Sequence, residues 1–322
     1  MSSQLVVMTC GEPAGIGPEL AQKAWQHLRH EMAFCWIGDP STLPDPEAAI
    51  TIEHPSLAAQ TMAQGLPVLR HSFPADVRAG RPNPANASTV VDIIARAVRC
   101  VQEKDASAIC TAPIHKKALQ DGAGFNFPGH TEYLAHLGAA DHVVMMLVSP
   151  SLKVVPATIH IPLEQVAQAL TEDLLERTIT TTRQEIMAKF NISEPRLAIT
   201  GLNPHAGEGG KMGSQEEAVI IPTIERLKSK GWHLTGPHSA DTLFHERARA
   251  SYDTAVAMYH DQALIPIKTL DFDLGVNVTL GLPFVRTSPD HGTALDIAGQ
   301  GIANATSTIE ALRLAAKMGV SP

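Results

Sequence analysis

Three of the fifteen histidines lie at or just beyond the ends of apolar, β-branched runs. His160 closes VVPATIH, His260 closes TAVAMYH, and His205 follows the run RLAIT by five residues, in the loop GLNPHAGEGG. In open α/β sheets, ligands bind outside the carboxyl ends of the strands. Three imidazoles at one sheet edge can hold a divalent transition metal and leave positions open for water or substrate. The alternative is that each histidine only caps its strand, because the sequence does not show that these strands are neighbours.

Polar side chains are dense downstream of the third histidine, between apolar segments. Lys268, Asn277 and Arg286 suit recognition of a phosphate or carboxylate, for which arginine offers a bidentate fork. Upstream, in FPGHTEYL, His130 and Thr131 lie at a glycine turn that enters a helix, where backbone N–H groups favour an anion. Ordinary surface charge is the alternative interpretation of the downstream set.

The glycine-rich stretches carry no familiar nucleotide-binding motif. GEPAGIGPEL has the pattern G-x-x-x-G-x-G, whereas a dinucleotide fold uses G-x-G-x-x-G. GEGGKMGS lacks both the first glycine of a P-loop and the hydroxyl residue after its lysine. The sequence also has no G-x-S-x-G nucleophile elbow. Cofactor binding therefore has to be inferred from the rest of the chain.

The strands that would position these side chains are short and nearly continuously apolar, which is typical of parallel strands buried on both faces. They are predicted at 5–9, 33–38, 107–112, 142–148, 154–160, 196–200 and 254–260. Helical patterns lie between them, with one helix from about Ser88, one from a capping box at 214–217, and one over 306–319. The alternation predicts an α/β protein with a mainly parallel sheet.

Size and charge restrict the possible partners. The 322 residues are enough for two domains, and the net charge of −8, with no Lys/Arg block, argues against nucleic acid. No apolar stretch approaches the roughly 20 residues of a membrane span, and the first ten residues lack the basic start of a signal peptide. The four cysteines have no C-x-x-C spacing. We expect a cytoplasmic protein with reduced thiols and a small anionic substrate, without a membrane partner.

Residues 289–307, PDHGTALDIAGQGIANATS, resemble the adenosine-binding loop of the isocitrate and isopropylmalate dehydrogenase superfamily. GIGPEL is similar to the N-terminal turn of that superfamily. The resemblance implies an NAD(P)+ cofactor whose adenosine is bound by a set of loop residues: His291, Gly292, Thr293, Ala294, Asp296 and Asn304. We expect NAD+ to be preferred, because a carboxylate at 296 would bind a free ribose hydroxyl and repel a 2′-phosphate.

Six motifs in the same order resemble the 4-hydroxythreonine-4-phosphate dehydrogenase family of pyridoxal phosphate biosynthesis. They are GEPAGIGPE, TAPIHK, FPGHTEYLA, NPHAGEGG, MYHDQALIPIK and GLPFVRTSPDHGTALDIAG, and the resemblance extends over nearly the whole chain. The resemblance implies that the metal is bound by His160, His205 and His260, and the substrate by His130, Thr131, Lys268, Asn277 and Arg286.

The resemblance also implies the architecture: a two-domain isocitrate/isopropylmalate dehydrogenase-like fold with a cleft between the domains. The first domain would comprise 1–127 and 298–322, and the second 128–297. Members of this family are homodimers, so we expect the active site near the subunit interface.

The chemistry implied is oxidation of the C3 hydroxyl of 4-phosphooxy-L-threonine by NAD(P)+, followed by loss of the β-carboxylate as CO2 to give 3-amino-2-oxopropyl phosphate. A divalent ion (Zn²⁺, Co²⁺, Mg²⁺ or Mn²⁺) would stabilise the alkoxide and then polarise the ketone. Three histidines favour Zn²⁺ or Co²⁺ over Mg²⁺. Asp261, Asp241 and Lys268 are candidates for the general base, and Asp261 could instead orient an imidazole.

Three alternatives remain at this stage. A paralogous dehydrogenase would act on another 4-phosphorylated hydroxy acid, phosphothreonate or phosphoerythronate. A phosphate acyltransferase would share the fold but would not need the histidines or the adenosine loop, and a non-catalytic metabolite sensor would not need NAD.

Overall fold

The computed structural model describes residues 5–319, and these form the α/β fold with mainly parallel strands that the sequence predicts. The described chain divides into two compact units, 5–141 with 282–319, and 142–281. The domain limits expected from the sequence, at 127/128 and 297/298, stay a prediction, and residues 1–4 and 320–322 of that division lie outside the described residues.

The first unit alternates strands and helices along its N-terminal part. These elements are β1 (Val6–Thr9), α1 (Gly17–Leu28), β2 (Phe34–Gly38), β3 (Ala49–Thr51), α2 (Ala58–Thr61), β4 (Leu66–Arg70), α3 (Ala87–Gln102), β5 (Ala108–Thr111), α4 (Lys116–Ala123) and α5 (His130–Leu137).

The second unit is continuous in sequence. It contains β6 (Val144–Val148), β7 (Lys153–Thr158), α6 (Leu163–Ala169), α7 (Glu172–Phe190), β8 (Leu197–Thr200), α8 (Ile221–Lys228), β9 (Leu234–His238), α9 (Glu246–Arg249), β10 (Thr254–Tyr259), α10 (His260–Asp271) and β11 (Val276–Leu280). The chain then returns to the first unit with β12 (Val285–Pro289) and α11 (Thr306–Met318).

Strand order differs between the two units. In the first it is β3-β4-β2-β1-β5-β12, and every neighbouring pair is parallel. In the second it is β11-β6-β7-β10-β8-β9, where β6 runs antiparallel to both of its neighbours and the other pairs are parallel. The carboxyl ends of β7, β10 and β8 therefore meet at one sheet edge.

Burial explains why the predicted strands form. All residues of β1, β2 and β5 are buried, as expected of parallel strands covered by helices on both faces. Helix α3 buries Val90, Ile94 and Val98 on one stripe at helical spacing. Burial of each such side chain contributes roughly 1.5–3 kcal/mol to folding.

Five strands and one helix start were not predicted correctly. Strands β3, β4, β9, β11 and β12 were missed, because they are short or interrupted by polar residues, glycine or proline. The predicted capping box at 214–217 is replaced by a π-helical turn, Glu216–Ile220, whose preceding residue makes no side-chain cap bond.

All four cysteines are buried thiols, in keeping with the expectation of reduced, structural residues. Among the described residues, none of the helices combines the length and the apolar character needed to cross a bilayer.

Candidate active site

The three strands that precede the histidines are neighbours. Strand β10 lies between β7 and β8 and is parallel to both, with Val256 opposite Val155 on one side and Ile199 on the other. Parallel strands in register end at the same edge, so the segments that follow them are delivered to one place. The structure thus supplies the adjacency that the sequence left open.

Two of the three imidazoles face each other at this edge. His160 lies two residues past β7 with a φ of 52°, and His260 is the first residue of α10. Their ring centroids are 5.7 Å apart, close to what two imidazoles on one ion require when each nitrogen is about 2.1 Å from the metal. The pair therefore fits a shared cation.

Asp261 is the partner of one of these imidazoles. The Nδ1 atom of His260 lies 2.7 Å from Oδ1 of Asp261. A carboxylate on one ring nitrogen fixes the orientation of the ring and favours metal binding by the other. The contact supports the role of orienting partner among the roles considered for Asp261.

His205 occupies an exposed turn beyond β8. It belongs to the short 3₁₀ turn Pro204–Gly207, where His205 has a φ of 51° and Ala206 a φ of 50°. Within residues 5–319, no group of three or more His, Cys, Asp or Glu side chains has the arrangement to hold a metal ion. The assignment of His205 as the third ligand stays a prediction.

Buried polar side chains connect the three strand ends. Thr158 donates its hydroxyl to the carbonyl of Met258, which joins β7 to β10. Gln262 uses both amide atoms: Oε1 accepts from the Thr200 hydroxyl and from the Met258 N–H, and Nε2 donates to the carbonyl of Gly201. The amide thereby links α10 to the start of the loop 201–210, which we call the His205 loop.

Glu216 holds the same loop from the other side. Its Oε1 accepts from the backbone N–H groups of Leu202 and Asn203, at 2.7 and 2.8 Å. Neither Gln262 nor Glu216 was identified from the sequence, since a glutamine after the MYHD stretch and a glutamate in a supposed capping box both have common structural explanations.

Two cavities of the second unit adjoin the imidazole pair. One, of about 420 Å³, is lined by His160, His260 and Asp261. The other, of about 380 Å³, is lined by Asp241 and Asp261. Asp241 is exposed in a 3₁₀ turn after β9, and its Oδ1 accepts from the Ser239 hydroxyl. The structure therefore places Asp241 and Asp261 around one cavity beside His260.

The other substrate residues of this unit lie farther along the chain. Lys268 is on α10, eight residues beyond His260, which corresponds to roughly 12 Å along the helix axis. Its ammonium lies 5.8 Å from the ring centre of Phe272. Asn277 is on β11, opposite Leu147 of β6.

The first unit contains a buried cationic site around Arg286. This residue, on β12, is 4% exposed, and its Nε and Nη2 both donate to the hydroxyl of Thr111, at 3.1 and 2.7 Å. Burial lowers the pKa of the guanidinium to about 10, so it remains charged at neutral pH. Thr111, a residue that the sequence did not single out, fixes the direction of the guanidinium.

His130 and Thr131 open α5 in the same unit. Burial, and then the nearby Arg286, hold the pKa of His130 well below its ordinary value, so the imidazole is neutral. Its Nε2 is shielded from solvent and has no hydrogen-bond partner within the described part of the chain. A shielded imidazole nitrogen near a buried guanidinium suits an anionic group that accepts hydrogen bonds.

The segment expected to bind adenosine contacts the first glycine-rich loop. The N–H of Ile16 donates to the carbonyl of Thr293, and a Cβ on Gly15 would lie only 2.8 Å from that oxygen. Only glycine permits this approach. The two segments that resemble one superfamily are thus adjacent in space.

Helix α1 holds the later part of that segment. Lys23 donates through Nζ to the carbonyls of Gly301 and Ala303, and Glu19 Oε1 accepts from the Ala303 N–H. A cavity of about 460 Å³ is lined by residues of both segments, including Gly15 and Gly301. An elongated ligand could lie there against backbone atoms.

The individual residues of the segment differ in their surroundings. Burial lowers the pKa of His291, whose Nδ1 donates to the carbonyl of Gly292. Ala294 has a φ of 43°. The Asn304 side chain accepts from the N–H and hydroxyl of Thr306 at the start of α11, a structural role. Asp296 is exposed.

Comparison with known proteins identifies close relatives. The family model described as "Pyridoxal phosphate biosynthetic protein PdxA" matches residues 30–315. A 4-hydroxythreonine-4-phosphate dehydrogenase of Ruegeria sp. (strain TM1040) is 59% identical over 98% of this chain and 97% of its own length. Two solved structures of enzymes of that name are similar over nearly the whole chain. The enzyme from Klebsiella pneumoniae is 35% identical with a TM-score of 0.88, covering 98% of this chain and all of that one. The enzyme from Burkholderia phymatum is 38% identical with a TM-score of 0.85, covering 98% of each chain.

Proposed function

The chain belongs to the PdxA family of pyridoxal phosphate biosynthetic proteins, and from this premise we propose the reaction that it catalyses. The chain is an oxidoreductase of that pathway. The substrate is 4-phosphooxy-L-threonine, whose C3 hydride passes to NAD(P)+ while the hydroxyl proton passes to a base. The C–C bond to the carboxylate then breaks, CO2 leaves, and the carbon takes up a proton. The products are 3-amino-2-oxopropyl phosphate, CO2 and NAD(P)H.

One observation carries the proposal: two imidazoles face each other where three parallel strands end. His160 and His260 supply two imidazoles, and the His205 loop starts at the same edge. A divalent ion there, Zn²⁺ or Co²⁺ by preference for nitrogen donors, would lower the pKa of the substrate hydroxyl and polarise the ketone. Asp261 keeps the His260 ring in the orientation that binding requires.

The anionic ends of the substrate are bound by the cationic and amide groups. Arg286, fixed by Thr111, offers a directed guanidinium, and His130 offers a neutral imidazole beside it. Thr131 adds its N–H and hydroxyl at the start of α5. Lys268 and Asn277 are the remaining residues that we assign to binding of the anionic ends of the substrate. Holding both ends places the reacting carbon against the nicotinamide, which lowers the activation free energy by several kcal/mol.

We assign proton removal to Asp241. Asp261 is engaged with His260, and Lys268 lies about two helical turns away from the imidazole pair. Asp241 lines a cavity together with Asp261 and is accessible to solvent, to which it can pass the proton. A carboxylate in reach of the hydroxyl acts as a general base.

The cofactor is bound by the segment 291–304 with the first glycine-rich loop. The cavity of about 460 Å³ lined by both segments supports this placement. NAD+ is the preferred form, because the exposed carboxylate of Asp296 would repel the 2′-phosphate of NADP+. The acting molecule is a cytoplasmic homodimer without nucleic-acid or membrane partners.

The test is the absorbance at 340 nm of metal-depleted protein supplied with 4-phosphooxy-L-threonine, NAD+ or NADP+, and Zn²⁺, Co²⁺ or Mg²⁺. We expect metal-dependent NADH formation with the release of one CO2 per turnover. Preference for phosphothreonate or phosphoerythronate would assign the chain to a paralogous reaction, and absence of turnover with every pair would refute the proposal.

His205→Ala tests the third ligand. The variant should remain folded and lose metal-dependent turnover, because two imidazoles hold a divalent ion far more weakly than three. The control is His233→Ala, which removes an exposed imidazole of the same unit that lies 3.3 Å from Glu194. Full activity of His205→Ala would exclude His205 from the site.

Asp241→Asn tests the general base. In the same assay this variant should lower kcat by roughly 100-fold or more, because it removes the carboxylate that takes up the hydroxyl proton.

A further inference from the structure

The His205 loop has a backbone conformation that it would not keep by itself. His205, Ala206 and Glu208 have φ values of 51°, 50° and 44°, and none of them is glycine. Each such residue costs free energy, and the conformation persists only where the surrounding structure enforces it. The loop is therefore held in place by contacts from outside.

Glu216 supplies those contacts. The residue is 2% exposed, and its carboxylate accepts three hydrogen bonds: two at Oε1 from the N–H groups of Leu202 and Asn203, and one at Oε2 from the Asn203 amide, at 2.9 Å. The backbone also closes around it, since a Cβ on Gly207 would lie 2.7 Å from Oε2. Both carboxylate oxygens thus contact the loop on either side of His205.

The π-helical turn explains how the side chain reaches the loop. Glu216 is the first residue of the turn Glu216–Ile220, and it is buried while Glu217, the next residue, is exposed. Turns of this type are frequent at functional sites because the extra residue redirects a side chain.

We propose that Glu216 is a positioning residue for His205, fixing the loop backbone so that the imidazole is held at the edge where His160 and His260 meet. The inference rests on the proposed function, in which these histidines bind a divalent ion. Glu216 does not touch the ion. It acts through the N–H groups of Leu202 and Asn203, which would lose these acceptors without it.

The experiment measures Co²⁺ binding by calorimetry and by visible absorbance, together with hydrogen exchange of the backbone amides in metal-free protein. For Glu216→Ala we expect Co²⁺ affinity to fall about 10- to 100-fold, the range typical of residues that orient metal ligands. The amides of Leu202 and Asn203 should exchange faster. Glu225→Ala is the control: it removes the same charge from α8, the helix that follows the turn, where the side chain is 61% exposed and pairs with Lys228, and it should leave Co²⁺ affinity within about twofold.

Glu216→Asp keeps the charge and provides a variant should Glu216→Ala fail to fold. Its shorter side chain withdraws the carboxylate from the loop, so Co²⁺ affinity should again fall, with a changed absorbance spectrum. Unchanged affinity and spectrum in Glu216→Asp, while the amides of Leu202 and Asn203 exchange faster, would overturn the inference.

Failure of the proposed function is distinguishable from failure of the inference. If the wild-type protein binds Co²⁺ no better than His260→Ala does, the histidines form no metal site. If the wild type binds and His260→Ala does not, the site exists, and the Glu216 variants then decide whether that residue positions it.

Discussion

Burial determines the properties of two residues of the candidate site, Arg286 and His130. Arg286 is charged but enclosed, and its Nε and Nη2 both donate to the Thr111 hydroxyl. Burial, and then the neighbouring Arg286, lower the pKa of His130 so that its imidazole is neutral. Enclosing a charged group, or an imidazole nitrogen that can form a hydrogen bond, costs free energy. Such a cost is offset when a dianionic phosphate or a carboxylate binds, which is why we regard these residues as an anion site rather than as part of the core.

The lowered pKa of His130 has a consequence for stability. Below the ordinary histidine value of about 6.5, the unfolded chain takes up a proton at this residue and the folded chain does not, so falling pH favours unfolding. In His130→Gln this contribution disappears. Between pH 7.5 and pH 5.5, the free energy of unfolding of the variant should fall by about 1 kcal/mol less than that of the wild type.

Urea unfolding at the two pH values measures the effect. His136→Gln is the control, since it makes the same substitution at an exposed position of the same helix. An equal pH dependence in wild type and His130→Gln would mean that the folded protein protonates His130 normally.

Among elements, helix α1 is the support of the segment 291–304. Lys23 is paired with Glu19 at 2.8 Å. Lys23 donates to the carbonyls of Gly301 and Ala303, and Glu19 accepts from the Ala303 N–H. Glu19 is only 5% exposed. The helix therefore fixes the end of the segment through charged groups that compensate one another.

Lys23→Met should loosen the segment and weaken cofactor binding selectively. The substitution keeps an aliphatic chain but leaves Glu19 buried without its cation, which is costly. We expect KM for NAD+ to rise about tenfold, equivalent to ~1.4 kcal/mol, with KM for the phosphorylated substrate unchanged. Lys317→Met, at an exposed position of α11, is the control. An unaltered KM for NAD+ would detach this segment from cofactor binding.

Sequence reasoning indicated which residues could come together where residue type and strand position sufficed. His160 and His260 were identified because apolar runs mark the strands that they follow, and the parallel order β7-β10-β8 then brings them together. Glu216 was missed because its role depends on a π-helical turn, which depends on tertiary contacts rather than on local pattern. Thr111 was missed because a buried threonine in a strand has no distinguishing sequence signal.

At the scale of the whole molecule, the proposed residues are divided between the two units. His130, Thr131, Arg286 and the cofactor segment belong to the first, and the three histidines, Lys268 and Asn277 to the second. The second unit also exposes apolar side chains around its imidazoles: Leu163 is 69% exposed and Ile265 64%, and both line the cavity that contains His160 and His260. Water contact at such a patch is unfavourable, and a second copy of the chain would remove it.

Ile265→Glu tests the homodimer. By symmetry the substitution places a carboxylate in the apolar contact twice per dimer. The molar mass measured by light scattering at micromolar concentration should therefore fall from that of two chains to that of one. Activity should fall with it, because the patch adjoins the imidazole pair. Ile302→Glu is the control. It makes the same substitution at an isoleucine of the first unit that is 63% exposed, and it should leave the molar mass unchanged. If Ile265→Glu kept the mass of two chains and the wild-type kcat, the contact between copies would have to lie elsewhere, and the exposed isoleucine would have no part in building the site.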